Sequence, residues 1–171
     1  MLLRVKEKIL NLFAKYFFKK LYYRKLCLIG HSHLLNFRQN YKNIKKINEL
    51  DYKIFSQNGE DGIIDYLLHE LKIESPKFVE IGIGDYTESN TRFIFETCNS
   101  KGLIVDCIKN LKKKILSNII FWKGDLIILE EFIDHKNINS LLIENKFDKD
   151  LDLFSLDIDG VDYWILKELK N

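Results

Sequence analysis

The chain has little of what marks several common protein classes. Its 171 residues include one proline and three cysteines, and the cysteines form no C-x-x-C pair. A disulfide framework or a zinc knuckle is therefore disfavoured, and a reducing compartment fits best. No apolar run reaches the ~18 uninterrupted residues of a membrane-spanning helix. Charges also interrupt the first 20 residues, unlike a cleavable signal peptide. The sequence thus predicts a cytoplasmic protein.

Charge is distributed unevenly along the chain. Residues 1–55 contain 13 Lys or Arg and three acids, whereas residues 56–171 contain 14 Lys or Arg and 22 acids. The apolar content of 46% and the charged content of 30% are typical of a globular protein. Because the two parts differ so much in charge, we expect them to have different roles. We predict a basic helical arm with a connector at residues 1–53 and an α/β domain at residues 54–171.

Residues 2–25 have the spacing of an amphipathic helix, and residues 27–53 have weaker periodicity that predicts a connector. A basic, aromatic-rich helix is typical of segments that lie on an anionic membrane surface. Contact through residues 1–25 would place the protein peripherally at the inner membrane surface. The alternative is an arm that packs on the domain. Nucleic-acid binding is disfavoured, because the aromatic residues follow helical spacing rather than that of a stacking platform. The apolar face comprises Leu2, Val5, Ile9, Leu12, Phe13 and Tyr16.

Strand and helix patterns alternate through the second part, which predicts a Rossmann-like parallel sheet with right-handed crossovers. Residues 126–132 fit either a strand or a helix. The predicted strands are 78–81, 102–106, 118–122 and 153–158, and the predicted helices are 62–72, 90–98, 109–116, 137–145 and 163–170.

Acidic residues stand where the predicted strands end. Glu80, Asp106, Asp125 and Asp157 would therefore meet at one edge of the sheet, where ligands of open α/β sheets bind. Asp106 follows Glu80 by 26 residues, near the spacing at which a second-strand acid contacts ribose hydroxyls. We expect a nucleotide-type ligand here. The structural alternative is that these acids cap helices or face water.

A Gly-x-Gly turn follows the first predicted strand. Gly82 and Gly84 would let a ligand come close to the backbone, and a helix start follows. A dinucleotide fingerprint would need a third glycine where the chain has Thr87, so a nicotinamide cofactor is disfavoured. An acid before the turn and another at the end of the next strand suit S-adenosylmethionine better.

Three blocks of the sequence also resemble FkbM-like methyltransferases, which are similar to class I S-adenosylmethionine-dependent methyltransferases. Residues 55–64 contain Ser56-Gln57 and Gly59-Glu60-Asp61-Gly62, which look like that group's opening motif. Residues 78–91 resemble its cofactor loop, and residues 137–139 with 152–164 resemble its later signature. The blocks occur in the group's order over roughly residues 54–168.

The resemblance implies S-adenosylmethionine as the cofactor and O-methyl transfer to a sugar, a glycan or a similar small acceptor. It implies that Asp157 and Asp159 lie nearest the transferred methyl, where they position or deprotonate an acceptor hydroxyl. No metal is expected. It further implies an incomplete class I fold that lacks its last strands, with an open sheet edge that a second copy or a partner would cover. The implied cofactor-binding residues are Gln57, Glu80, Gly82, Gly84, Asn90, Asp106 and Asp125.

Two other interpretations use the same residues. One is a cofactor-binding remnant or interaction module without catalytic activity. The other compares Asp157-Ile158-Asp159 with the D-x-D motif of nucleotide-sugar glycosyltransferases, where two acids hold a divalent metal against a diphosphate. The second interpretation leaves the Gly-x-Gly turn and the opening motif unexplained.

Overall fold

Four parallel strands form the sheet of this computed structural model, which describes residues 2–119 and 123–170. The strands lie in the order β3-β2-β1-β4, and each neighbouring pair is parallel. Parallel strands need crossover connections, which the helices between them provide. The predicted α/β class with a Rossmann-like parallel sheet is therefore confirmed. The strands are β1 (Lys77–Ile81), β2 (Lys101–Asp106), β3 (Asp125–Glu130) and β4 (Leu153–Leu156).

Six α-helices accompany the sheet in the described residues, with two short 3-10 helices at Tyr41–Asn43 and Ile47–Leu50. The first helix passes its predicted end near residue 25 and takes up the beginning of the predicted connector. The α-helices are α1 (Leu2–Arg38), α2 (Glu60–Glu70), α3 (Arg92–Thr97), α4 (Leu111–Asn118), α5 (Ile138–Glu144) and α6 (Asp162–Glu168).

The second half of α1 is attached to the domain. Cys27 and Leu34 are buried and form a cluster with Phe55, while the Arg38 guanidinium pairs with the Asp65 carboxylate of α2. These contacts recur at helical spacing, but exposed leucine and isoleucine side chains on the other faces hide the period in the sequence. Within the described ranges, no helix has both the length and the apolar content needed to cross a membrane.

The strands bury side chains on both faces of the sheet. Phe78 and Ile104 belong to one core, which includes residues of α2, α3 and α4. Val79 and Leu103 belong to the other core, which includes residues of α5 and α6. The domain therefore has three layers, with the sheet between two layers of helices.

The third strand lies later in the chain than predicted. Residues 120–122 of the predicted strand lie outside the described residues, Asn118 ends α4, and Ile119 is buried in the first core. The strand β3 begins at Asp125 and pairs with β2. Its centre is a continuous apolar run, Leu126 to Leu129, because a sheet covered on both faces needs no polar alternation. Such a run lacks the alternation of polar and apolar residues that marks a half-buried strand, which explains why residues 126–132 fit either a strand or a helix.

Candidate functional site

A cavity of about 520 Å³ opens at the carboxyl edge of the sheet. The strand order reverses direction between β1 and β4, and ligands of open α/β sheets bind at such a switch point. The volume falls within the ~300–1,000 Å³ of small-molecule and cofactor sites. Residues after each strand contribute to the lining: Gly82 and Gly84 after β1, Asp106 and Cys107 at the end of β2, Glu131, Phe132 and Ile133 after β3, and Asp157, Ile158, Asp159 and Val161 after β4.

The cavity collects most of the predicted site. Glu80 and Asn90 lie beside it in the same loop network, and Asp125 lies at the opposite edge of the sheet. The six predicted site residues that line it are Gln57, Gly82, Gly84, Asp106, Asp157 and Asp159.

The two glycines of the turn have different structural roles. Gly82 has a φ of 84°, and a Cβ at this position would collide with the carbonyl oxygen of Asp157. Gly84 has a φ of 57°, and no atom lies within 4 Å of the position that its Cβ would occupy. Gly82 thus lets the loops after β1 and β4 come together, whereas Gly84 leaves open space over the backbone.

Asp106 presents a carboxylate held in a fixed orientation. Its Oδ2 accepts the Gly84 N–H at 2.9 Å, and its Oδ1 accepts the Ile108 N–H at 3.1 Å. An ionised carboxylate has about four acceptor positions, so two bonds leave capacity for a ligand. Asp106 therefore connects the glycine turn to the end of β2, and its carboxylate can still accept hydrogen bonds from the hydroxyl groups of a ligand in the cavity.

The loop after β4 exposes two carboxylates and uses a third to hold its shape. Asp162 accepts the Ile158 N–H at 2.8 Å and the Gly160 N–H at 3.1 Å, and these bonds lower the pKa of its carboxyl. Asp159 adopts a left-handed backbone conformation with a φ of 54°. Asp157 and Asp159 are both exposed, so their side chains are accessible to a molecule in the cavity.

Glu80 is an anchor for the loop and is not among the residues that line the cavity. Its carboxylate is only 4% exposed and accepts bonds from the Ser89 hydroxyl at 2.5 Å and the Asn90 N–H at 2.9 Å. The Thr91 hydroxyl and N–H donate to it at 2.5 and 3.1 Å. Burial raises the pKa of Glu80, and these four bonds oppose the rise. Glu80 thereby fixes the chain between the glycine turn and α3.

Asn90 connects the same loop to the neighbouring strand. Its side-chain Nδ2 donates to the Ser155 hydroxyl of β4 at 3.1 Å, while its backbone N–H donates to Glu80. Like Glu80, Asn90 is not among the residues that line the cavity. Glu80 and Asn90 therefore stabilise the loop beside the cavity.

The opening motif is chiefly a structural device. Asp61 is fully buried at the start of α2, and its Oδ2 accepts the N–H groups of Ile54, Phe55 and Ser56 at 2.6, 2.7 and 3.0 Å. Burial raises the pKa of its carboxyl, and the backbone bonds oppose the rise. Of the motif, Gln57 alone belongs to the cavity lining.

The predicted position of Asp125 is wrong. Asp125 begins β3 opposite Lys101, so it lies at the amino edge, far along the strand from the cavity. The sequence predicts a strand at residues 118–122 that ends before Asp125, whereas β3 of the structure begins at Asp125. Glu130 takes the position beside Asp106 and accepts the Asn110 N–H at 2.9 Å.

Several residues of the cavity were missed in the sequence. Glu131, Phe132 and Ile133 follow β3, and Val161 precedes α6. The signal was Glu130-Glu131 at the end of an apolar run, which marks a strand end once β3 is placed correctly. Phe132, Ile133 and Val161 add an apolar wall to a cavity otherwise rich in carboxylates.

No protein family, curated protein or solved structure matches this chain in the three comparisons made. In the described part of the chain, no group of three or more His, Cys, Asp or Glu side chains is arranged to hold a metal ion. Support for a function therefore comes from the cavity.

Proposed function

We propose that this protein binds S-adenosylmethionine at the carboxyl edge of its sheet and transfers a methyl group to a hydroxyl oxygen. The acceptor would be a sugar, a glycan or a similar small molecule. One observation carries the proposal. The cavity lies at the switch point between β1 and β4 and combines the open space over Gly84 with the Asp106 carboxylate.

The residues around the cavity fit this cofactor. S-adenosylmethionine has ribose hydroxyls, an ammonium group and a positive sulfonium, which all favour carboxylate partners. Asp106 would accept hydrogen bonds from the ribose hydroxyls, because its two bonds with backbone N–H groups leave acceptor positions available. Gly82 and Gly84 would let the cofactor approach the backbone, and Gln57 supplies an amide at the same cavity. Glu80 and Asn90 would act indirectly, by fixing the loop between the glycine turn and α3.

The acceptor chemistry would depend on the loop after β4. The bound cofactor supplies an electrophilic methyl group. Asp157 and Asp159 are exposed on the cavity, so either carboxylate is able to orient an acceptor hydroxyl and take up its proton. Phe132 and Ile133 would provide an apolar wall that limits water near the acceptor. The resemblance of residues 152–164 to the later signature of FkbM-like methyltransferases supports the same assignment.

Calorimetric titration with S-adenosylhomocysteine tests the cofactor part of the proposal. We expect micromolar binding by the intact chain. Asp106→Asn should weaken binding about 10- to 100-fold, because hydrogen bonds to a charged group contribute about 1.5–3 kcal/mol. The matched control is Asp125→Asn, which changes an exposed acid on the adjacent strand at the other edge and should leave affinity unchanged.

Three outcomes would contradict the cofactor assignment. The first is that a chain that unfolds cooperatively does not bind S-adenosylhomocysteine. The second is that Asp106→Asn and Asp125→Asn weaken its binding equally. The third is that the chain binds a nucleotide-diphosphate sugar with manganese and does not bind S-adenosylhomocysteine. The last would favour the D-x-D interpretation of Asp157 and Asp159. Methyl transfer is tested with labelled S-adenosylmethionine and a panel of sugar acceptors. Asp157→Asn should abolish transfer while retaining S-adenosylhomocysteine binding, and a binder without transfer would be the non-catalytic module.

A further inference from the structure

The first half of α1 extends from the domain, and the large apolar side chains that the structure describes there are exposed. We name residues 2–22 the arm. Every described side chain from Lys6 to Tyr22 is exposed except that of Ala14, which is partly exposed. Phe13 and Phe17 are 72% and 66% exposed, and Leu10 and Leu12 are exposed to a similar extent. Such a contiguous apolar surface is typical of an interaction site.

The arm is also strongly basic. Residues 2–22 contain six Lys or Arg and a single acid, Glu7. Lys6 and Lys8 are exposed among the apolar side chains. Long cationic side chains can lay their methylene stems along an apolar surface and keep the ammonium group in a polar layer. The arm thus combines the two properties that favour the boundary between anionic headgroups and acyl chains.

A second copy of the chain is a poorer partner for the same helix. Pairing of two helices needs apolar residues at alternating intervals of three and four. The predicted apolar face, which includes Leu2, Val5 and Ile9, has such intervals, but residues 2–22 contain six Lys or Arg and only one acid. Paired copies would thus bring like charges together with few acids to offset them. Nucleic acid is also a poorer partner, because it would bury the cations and leave the exposed leucines in water.

Contacts of α1 show which way the arm projects. His31 and Arg38 line a cavity with residues 72–74 and 97–99, which precede β1 and β2, so this end of α1 is at the amino edge. Tyr23 lies at 6.2 Å from the Phe55 ring, and the Arg92 guanidinium lies 4.7 Å from the Tyr23 ring.

Arg92 in turn donates to the Tyr86 carbonyl of the glycine loop at 2.8 Å. Tyr23 is therefore near the carboxyl edge, and the arm continues from that edge. The candidate site and the arm therefore both lie at the carboxyl edge of the sheet.

We propose that the arm binds an anionic lipid surface and presents the carboxyl edge of the sheet toward it. The apolar side chains around Phe13 and Phe17 enter the headgroup boundary, and the Lys and Arg side chains contact anionic headgroups. Lipid binding through the arm would not require the cofactor, because it uses only the arm and the part of α1 that is attached to the domain.

Cosedimentation of the full chain with lipid vesicles tests the proposal. We expect binding to vesicles of phosphatidylglycerol and phosphatidylcholine in equal parts, and little binding to pure phosphatidylcholine. Phe13→Ser with Phe17→Ser should reduce the bound fraction about tenfold or more, because the burial of two aromatic rings is lost. The matched control is Ile47→Ser with Leu71→Ser, two changes at apolar residues that are 67% exposed and lie outside the arm, which should have no effect.

The charge contribution is tested separately. Lys6→Glu with Lys8→Glu should weaken binding to the anionic vesicles, whereas Lys112→Glu with Lys113→Glu on α4 should not. The proposal is overturned if the chain fails to bind anionic vesicles or if the control pairs weaken binding equally. It is also overturned if light scattering shows a dimer that the Phe13 and Phe17 changes dissociate, or if an RNA duplex competes the chain off the vesicles.

Discussion

Two sets of carboxylates near the carboxyl edge have opposite environments. Asp61 and Glu80 are buried and accept three and four hydrogen bonds from the surrounding chain. Asp157 and Asp159 are exposed on the cavity. All four belong to motifs that the sequence marks as functional. A single sequence motif therefore contains both residues that hold the shape of a loop and residues that the loop exposes to a ligand.

The largest expected effect is on the buried set. Glu80→Ala would leave four donors from residues 89–91 without their acceptor, and each buried unsatisfied group costs about 1–3 kcal/mol. Allowing for relaxation, we expect a loss of about 4 kcal/mol or more in the free energy of unfolding. Urea unfolding followed by circular dichroism measures it.

Glu88→Ala is the matched control for this change. Glu88 is an exposed acid of the same loop, and its ion pair with Lys53 at 3.5 Å should contribute about 1 kcal/mol or less. Equal stability of the two variants would show that the Glu80 bonds do not hold the loop.

The two glycines give the second largest effect. Gly82→Ala places a Cβ against the Asp157 carbonyl and strains a positive φ, so we expect a loss of about 3 kcal/mol. Gly84→Ala strains a similar φ in open space, for which about 1 kcal/mol is expected. If Gly84→Ala proved as destabilising as Gly82→Ala, the space over Gly84 would be closed in solution. The proposal also expects Gly84→Ala to weaken S-adenosylhomocysteine binding beyond its effect on stability.

The sequence predicted the glycine turn and the strand ends Asp106 and Asp157 because short apolar runs, glycine spacing and acids coincide there. It could not separate Glu80 from Asp106, since both are acids near a strand end. Their difference arises from the loop of residues 89–91 folding back onto one of them. That fold-back is a tertiary contact with no local signature.

The wrong position of β3 has a different physical origin. Residues 119–129 are almost entirely apolar apart from Lys123-Gly124-Asp125, so apolar runs lie on both sides of the turn. Periodicity does not distinguish a buried strand from the buried end of a helix. The choice is made by pairing with β2, which aligns Asp106 with Glu130. One shifted strand therefore moved one predicted site residue, Asp125, to the wrong edge.

Acid titration distinguishes the third carboxylate of the loop after β4 from its exposed neighbours. Because its bonds lower the pKa of Asp162, the carboxylate stabilises the folded state above the ordinary Asp pKa of about 3.9. That stability is lost as the pH falls through the lower folded pKa. Asp162→Asn should therefore differ most from the natural chain at neutral pH and converge with it in acid.

The thermal midpoint measured across this pH range gives the comparison. Asp148→Asn is the control, since Asp148 is an exposed acid in the segment before β4. A difference between Asp162→Asn and the natural chain that stayed constant with pH would show that the loop does not depend on the charged form.

The smallest expected effect on stability belongs to the exposed pair. Asp157→Asn and Asp159→Asn keep the shape of each side chain and remove a charge that faces solvent, so each should change the free energy of unfolding by less than about 0.5 kcal/mol. Asparagine also tolerates the left-handed conformation of residue 159. Urea unfolding beside Glu80→Ala measures the contrast. A loss of several kcal/mol in either variant would make that residue an anchor like Glu80, and a group committed to the fold would then be a poor candidate for proton transfer.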